Sequence, residues 1–592
     1  MRFSASKVAA MFQIFGLALA AFAQGGHDVA APPPAGAKSA VCKDRPVPQL
    51  EDVTAASGIH FSHITSPEKK YIVESMSGGV LLIDYDRDGW PDIYFTNAPT
   101  VAMARKHEKA RGALYHNNHD GTFTDVTDKA GIATPCFANG GAVGDYNNDG
   151  WPDLYITCLG GNVLYRNNGD GTFTDVTAKA GVADGRNSTG AAFGDYDNDG
   201  FVDLMVSNYV EFHLDDLPSF GKLPICTYRG LDVQCGPRGL KGGGDSLFHN
   251  NGDGTFTNVA KPAGVDDPHG YYGLGVAWVD FNNTGRADIF IANDATPNYL
   301  YKNEGNGKFS EVGLESGTAV SEDGAEQACM GVAIGDYLHT GKPSIFVTNF
   351  ENEYNTLYRN NGNWEFDDVS YKSGEALPSL PLVKWGNAFV DVDNGGWLDL
   401  ISVAGHVYPQ VASLPSGASY AEPKLLQLNQ RDGTFCDASM QAGSALQVKS
   451  VARGLAVGDL FNDGNVDMVI ENVDGPAILL RNRGVAGNHW ISFELAGTKS
   501  NRLGIGARLK IVANGVTQTG DVRSGGSYLS QSDLRVHFGL ANATRVDEVE
   551  IRWPSGRADV LKNLDADNFY YLLEGKGQVP AASIRPEVPG KK

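Results

Sequence analysis

The chain has 592 residues, 42% of them hydrophobic and 20% charged, with 73 Gly and 27 Pro. It is too apolar for wholesale disorder and too long for one ordinary core unless its architecture repeats. Acidic residues outnumber basic ones by 70 to 48, and the formal charge of −22 repels phosphate backbones, which argues against a nucleic-acid partner.

Residues 1–23 read as an export signal: Arg2 and Lys7, an uncharged run from Val8 to Ala23, and Ala21-Phe22-Ala23 as a small-x-small cleavage site. Beyond them no stretch reaches the roughly 20 apolar residues of a membrane span. Residues 24–48, rich in Pro, Gly and Ala, read as a flexible tether. The expected location is therefore secreted, periplasmic or extracellular, where disulfides persist. Cys226 and Cys235 bracket a short loop and are the first expected pair, with Cys136 and Cys158 the second. Seven cysteines leave at least one thiol over or paired between chains.

From residue 49 to 484 an Asp-rich nonamer recurs seven times, beginning at Asp84, Asp145, Asp195, Asp280, Asp336, Asp391 and Asp459. Successive starts lie 50 to 85 residues apart. Each nonamer follows a small, Gly-rich apolar stretch and precedes a short β-prone run such as Leu154 to Thr157. Next come a Leu-Tyr-x-Asn run with a Gly-rich turn, and then Phe-x-Asp-Val-Thr, as at Phe173 to Thr177. Four short strands at a period of about 50 residues predict a propeller blade. The seventh unit lacks its last strand, and Leu50 to Thr54 (LEDVT) carries that strand at the other end of the chain. The expected fold is thus all-β: a seven-bladed β-propeller closed by an N-terminal strand, followed by a small C-terminal β domain over 485–577 and a disordered tail over 578–592. A chain ended near Gly484 is expected to fold by itself.

The nonamer carries calcium chemistry, because a hard cation takes several oxygen ligands at once. Carboxylates or amides at positions 1, 3, 5 and 9 can wrap one ion with a carbonyl from position 7, and Gly at position 6 permits the turn. In the first copy these are Asp84, Asp86, Asp88, Trp90 and Asp92; in the second, Asp145, Asn147, Asp149, Trp151 and Asp153. The third has Asp195, Asp197, Asp199, Phe201 and Asp203. Calcium is expected in these three and in up to six loops. The fourth keeps Asp280, Asn282, Thr284 and Asp288, the sixth Asp391, Asp393 and Asp399, and the seventh Asp459, Asp463 and Asp467. The fifth has Leu338, Thr340 and Ser344 at positions 3, 5 and 9, and no ion is expected there.

The nonamers and their GDYDNDG-like approaches resemble the FG-GAP/VCBS repeats of integrin α-subunit propellers and of many secreted bacterial proteins. After Gly484, Asn488-His489-Trp490, NRLGIGARL from Asn501, VHFGL from Val536 and WPSG from Trp553 resemble the ASPIC/UnbV domain in that order. Together the resemblances cover about 49–575. They imply an extracellular calcium-binding propeller with a small β domain behind it, and they supply no catalytic residues.

Recognition is expected on the face opposite the calcium hairpins, where the loops joining second and third strands are longest: 98–112, 208–244 and 405–423. Asn293, Asp294, Asn349, Glu351, Glu353, Asn355, His406 and Tyr408 mark the strand ends there, either as a ligand face or as hydrogen bonding between blades. The expected function is a binding or adhesion module for an extracellular protein or glycan. The alternative is an enzyme or cofactor handler in the propeller funnel. The sequence leaves the ligand and the oligomeric state open.

Overall fold

The computed structural model describes residues 33, 39–43, 45–66, 68–134, 136–214, 225–414 and 418–586. The expected export signal lies outside the described residues, as do most of the tether, residues 215–224 and 415–417 of the long loops, and residues 587–592.

The fold is all-β, with only single-turn helices between strands. Among the described residues seven four-stranded sheets each contain one nonamer, always in the turn between their first and second strands. The first blade pairs Val80–Ile83, Asp92–Phe95, Ala113–Asn117 and Phe123–Asp125 in antiparallel order. The same order recurs in the five blades that follow. In the seventh, Val451–Gly458, Asp467–Asp474 and Ile478–Asn482 are joined by Leu50–Asp52, with Leu50 opposite Asn482 and Asp52 opposite Leu480. The blades' fourth strands commonly run into one helical turn ended by a left-handed glycine, Gly131 at φ 72° in one case. Thr54–Ser57 and Gly58, at φ 77°, repeat that device after the N-terminal strand. The blades' first strands touch one another in chain order, and that of the seventh touches that of the first.

The C-terminal module has two four-stranded sheets. One is built on His489–Ala496, whose partner Asn568–Leu573 runs parallel to it; the other is built on Arg508–Ala513 and Arg545–Arg552. Apolar alternation along these strands buries Leu509, Ile511, Val549, Ile551 and Trp553 in one cluster with Ile491 and Phe493. Within the module Glu574 is held by a nest of donors. Its Oε2 accepts the backbone N–H groups of Thr498 (2.7 Å), Lys499 (2.7 Å) and Ser500 (2.9 Å), and its Oε1 accepts the Ser555 hydroxyl. Burial alone would raise its pKa, but the Ser555 hydroxyl and the amides outweigh that and hold it at about 2, below the usual carboxylate range. A depressed carboxyl pKa adds stability that is complete above about 4.5 and is lost as pH falls toward 2. In Glu574→Gln the module's melting temperature is therefore expected to be lower at pH 7 and less dependent on pH between 4.5 and 2, measured by calorimetry.

The module does not stand apart from the blades. Its segment Arg523–Asp533 runs as a finger between the seven first strands and bonds to each of them. Leu82 N–H donates to Gln531 O (2.8 Å), Gly141 N–H to Leu529 O (3.3 Å) and Val332 N–H to Ser527 O (2.9 Å). Phe193, Asn387 and Val457 donate their N–H groups to the hydroxyls of Ser524, Ser527 and Ser532, and Gly526 N–H donates to Val276 O. Tyr528 at the tip is fully buried, donates to Met76 O (2.6 Å) and packs edge-on against Trp385.

Two expectations about the ends need correction. The tether does not extend to residue 48: Asp437 N–H donates to Ala40 O, Cys42 is joined to Cys436, and Arg45 reaches the sixth blade. Order also continues past residue 578, because Gly577–Val579 pairs with Tyr571–Leu573 and Ile584 is buried against Ala496 and Leu573. The disulfides are Cys42–Cys436, Cys136–Cys158 and Cys226–Cys235, and the remaining Cys329 is buried and free.

Candidate metal centres on the hairpin face

Every nonamer folds around its first aspartate. In the first loop Asp84 Oδ1 accepts the N–H of Asp88 and Oδ2 that of Gly89, both at 3.0 Å. Asp145, Asp195, Asp280, Asp336, Asp391 and Asp459 accept the N–H groups of positions 5 and 6 in the same way. The fourth position is left-handed throughout, which explains why Asn, a residue that tolerates that region, stands there in five copies: Asn148, Asn198, Asn283, Asn394 and Asn462. Position 9 is held from outside the loop: Asp92 Oδ1 accepts Asn117 N–H (2.8 Å) from the third strand, and Asp153 Oδ1 accepts Asn167 N–H (2.7 Å). Since the fifth loop has this cage without the other carboxylates, the cage belongs to the turn. The convergence of further oxygens is what points to an ion.

That convergence differs between copies. Carboxylates come together within 4.8 Å in the first (Asp84, Asp86, Asp88), the third (Asp195, Asp197, Asp203) and the sixth (Asp391, Asp393, Asp399). Asp86 Oδ1 is buried there with no hydrogen-bond partner among the described residues. In the second loop Asn147 stands at position 3, with its Oδ1 and Nδ2 both directed at Asp149. The fourth and seventh, with Asn282, Thr284 and Phe461 in place of acids, form no such group among the described residues. Burial first, and Asp149 beside it, push the Asp145 carboxyl up to about 7; burial and Asp203 push Asp195 to about 8. A divalent cation would offset both effects.

Sequence reasoning missed the groups that reach the loops from elsewhere. His116 Nδ1 lies 3.2 Å from Asp92 Oδ1, and His249 Nδ1 lies 3.1 Å from Asp203 Oδ1. Arg45 places a guanidinium 2.5 Å from Asp393 Oδ2 in the sixth loop, and Arg481 pairs with Asp463 in the seventh. The C-terminal module covers the same face. Arg508 donates to Asp280 O, the Thr519 hydroxyl to Asp336 Oδ2 (3.0 Å) and Arg535 to Asp459 O (2.7 Å). Arg502 N–H donates to Asn148 Oδ1 (3.0 Å), and Arg87 pairs with Glu494 at 2.9 Å.

On the opposite side the eight residues singled out from sequence do not form an open face. Asn349, Asn355 and His406 are fully buried, and Glu351 and Glu353 nearly so. Asn293 Nδ2 donates to Pro297 O, Asn349 Nδ2 to Tyr354 O, and Glu353 Oε2 accepts Ala328 N–H, so their polar groups hold loops in place. The Tyr209 hydroxyl donates to Asp294 Oδ2 (2.5 Å). The hairpin Ile225–Tyr228 and Leu231–Gln234, stapled by Cys226–Cys235, lies over the rest. Its Tyr228 hydroxyl and Arg229 reach Glu351, which also faces His406 Nε2 at 3.3 Å, while Tyr408 N–H donates to His406 Nδ1. Burial holds His406 below its ordinary pKa. These residues form a capped polar core, and the ligand-face expectation for them is corrected: the long insertion brought its own cover. What remains exposed on this side is the loops, including Arg105–Lys109, Glu211, His213 and Lys241.

The family model of the FG-GAP-like repeat matches residues 84–156, 145–206, 232–291 and 280–347, and that of ASPIC and UnbV matches residues 497–579. Cartilage acidic protein 1 of Homo sapiens is 24% identical over 358 residues, 59% of this chain and 42% of that protein. Its Mus musculus counterpart is 23% identical over 360 residues, covering 59% and 44%. The chain thus spans less than half the length of these curated relatives. Solved structures with some likeness include an Agrocybe aegerita lectin that recognises non-reducing terminal N-acetylglucosamine (16% identity, 68% of this chain and 87% of that one, TM-score 0.36). BBS1N in complex with ARL6DN is another (10% identity, 73% and 97%, TM-score 0.39). At TM-scores below 0.5 neither bears on what this chain does.

Proposed function

Because this chain belongs to the FG-GAP-repeat proteins that carry an ASPIC and UnbV module, we propose that it is an exported, calcium-binding binding or adhesion module for an extracellular protein or glycan. In this reading the seven blades form one propeller sealed by Leu50–Asp52, and calcium stiffens the hairpin face. The observation that carries it is the division of labour between the two faces. The module and the convergent carboxylates of Asp84, Asp195 and Asp391 occupy one face, and the long exposed loops stand on the other. Asp86, Asp88, Asp197, Asp203, Asp393 and Asp399 would complete the calcium ligands, so the ion would supply charge neutralisation and rigidity rather than chemistry. The axial space that a funnel enzyme would use is occupied by Ser524–Asp533, which favours the binding reading over that alternative.

Two measurements test this. Chelation leaves clustered carboxylates facing one another, and ligand linkage sets the expected loss at roughly 2.7 kcal/mol per site at a hundredfold excess of calcium over its Kd. The melting temperature of residues 24–592 is therefore expected to fall in excess chelator; an unchanged curve with metal loss verified by elemental analysis would refute structural calcium. Binding of the same protein to a glycan array and to immobilised extracellular-matrix proteins is expected to be saturable and to survive alanine substitution of His406. No binding to either set, with calcium present, would remove the recognition reading.

A further inference from the structure

The residue before the third-strand asparagine differs from blade to blade. It is His116, Arg166, His249, Lys302, Arg359, Leu428 and Arg481 in turn. Pairing of the second and third strands sets Ile93 opposite Tyr115 and Leu204 opposite Phe248, and so brings the next residue, His116 or His249, against the position-9 aspartate. The two histidines arrive in the same geometry independently. His116 Nδ1 stands 3.2 Å from Asp92 Oδ1 and 3.6 Å from Asp86 Oδ2. His249 Nδ1 stands 3.1 Å from Asp203 Oδ1 and 3.6 Å from Asp197 Oδ2. Ligand atoms about 2.1 Å from one ion lie roughly 3.0 Å apart when adjacent and about 4.2 Å apart when opposed. The observed spacings fall in that window, and ligand atoms lie within 4.8 Å of one another for Asp86, Asp92 and His116 in the first blade and for Asp197, Asp199 and His249 in the third.

We infer that the first and third hairpins, read above as calcium loops, also accept and prefer a borderline divalent cation of the Mn2+ or Zn2+ type through His116 Nδ1 and His249 Nδ1, while the other hairpins offer oxygen alone and stay with calcium. The inference rests on the reading of these loops as cation sites and names which cation two of them select. Calcium takes oxygen ligands, whereas an imidazole nitrogen raises affinity for first-row metals and zinc. The first hairpin carries a second imidazole: His119 Nε2 lies 2.6 Å from Asp88 Oδ2 and its ring stacks on Trp90 at 4.8 Å. The second hairpin provides an internal contrast, since Arg166 there turns to Asn168 and leaves an all-oxygen donor set around Asp145.

The competing explanation is that the imidazoles are only counter-cations, as the arginines are in other blades. Pulsed EPR of tag-free residues 24–592 loaded with Mn2+ separates the two. A directly bound imidazole imposes 14N modulation on the Mn2+ echo, and a nearby imidazolium does not. The expected result is 14N modulation from the unsubstituted protein, abolished in the folded double variant His116→Gln/His249→Gln. It should persist in the presence of a tenfold excess of Ca2+. Mn2+ binding without 14N modulation would overturn the inference and leave the calcium reading standing, as would modulation that survives in the folded double variant. Absence of both Mn2+ and Ca2+ binding by calorimetry would overturn both.

Discussion

A chain that ends at Gly484, expected from sequence to fold by itself, is expected from the structure to lose cooperative unfolding. Removing the module withdraws the finger Arg523–Asp533, to which the first strand of each nonamer-bearing sheet is hydrogen-bonded. The N–H groups of Leu82, Gly141, Phe193, Val332, Asn387 and Val457 would lose their acceptors. A buried donor left unsatisfied costs about 1–3 kcal/mol, and six of them reach the whole stability of an ordinary domain, about 5–15 kcal/mol. Water entering the axis would recover part of this. The tip also contributes apolar burial: Tyr528 and Leu529 are buried with Trp385, Met330 and Leu274. A graded test uses Tyr528→Ala, for which large-to-small substitution of a buried aromatic predicts a loss of about 3–5 kcal/mol. Calorimetry of residues 24–484 beside the full mature chain decides the matter. If the truncated chain melts cooperatively at the same temperature, the blades support themselves and the finger is an accessory.

The second large effect concerns the other end. A chain beginning at residue 48 keeps Leu50–Asp52 but loses Cys42, whose bond to Cys436 spans 394 residues of sequence. In the chain-entropy description a 100-residue loop is worth about 4.7 kcal/mol, with about 2–4 kcal/mol typical in practice. Loss of that order is expected for this truncation and for Cys42→Ser alike. A chain beginning at residue 55 loses more. Leu50, Glu51 and Asp52 no longer pair with Ile478–Asn482, Val53 N–H no longer reaches Leu479 O, and Leu479 N–H loses the Thr54 hydroxyl. The third strand of the seventh blade becomes an exposed edge, and aggregation should accompany the lost stability. Three melting curves, for chains starting at residues 24, 48 and 55, should fall in that order. Equal curves for the last two would show that the N-terminal strand adds nothing to the seventh blade.

How much of this was legible in the sequence follows from the range of each interaction. The nonamers, their Gly turns and the four-strand signature were readable because turn and strand chemistry acts over a few residues, as Asp84 does on Asp88 and Gly89. The ASPIC and UnbV region was readable for the same reason, through short motifs such as WPSG from Trp553. The displaced strand Leu50–Asp52 could be noticed because its sequence repeats a local pattern that the seventh unit lacks. Other features had no local pattern to reveal them. The axial finger is an unremarkable run, SGGSYLSQSD, that acquires meaning only where seven strands converge. The pairing of Cys42 with Cys436 depends on the path that brings residue 42 to the sixth blade. His406 and Glu351 stand at strand ends that local sequence leaves open as ligand face or hydrogen bonding, and they are buried by a hairpin inserted more than a hundred residues earlier. His116 and His249 lie outside the nonamers, and cross-strand pairing alone sets their Nδ1 atoms beside Asp92 and Asp203. By itself the sequence determined the repeated hairpins and the carboxylates they carry; the tertiary structure decided which hairpins an imidazole approaches, what fills the axis and which polar side chains meet solvent, because those depend on contacts between residues far apart along the chain.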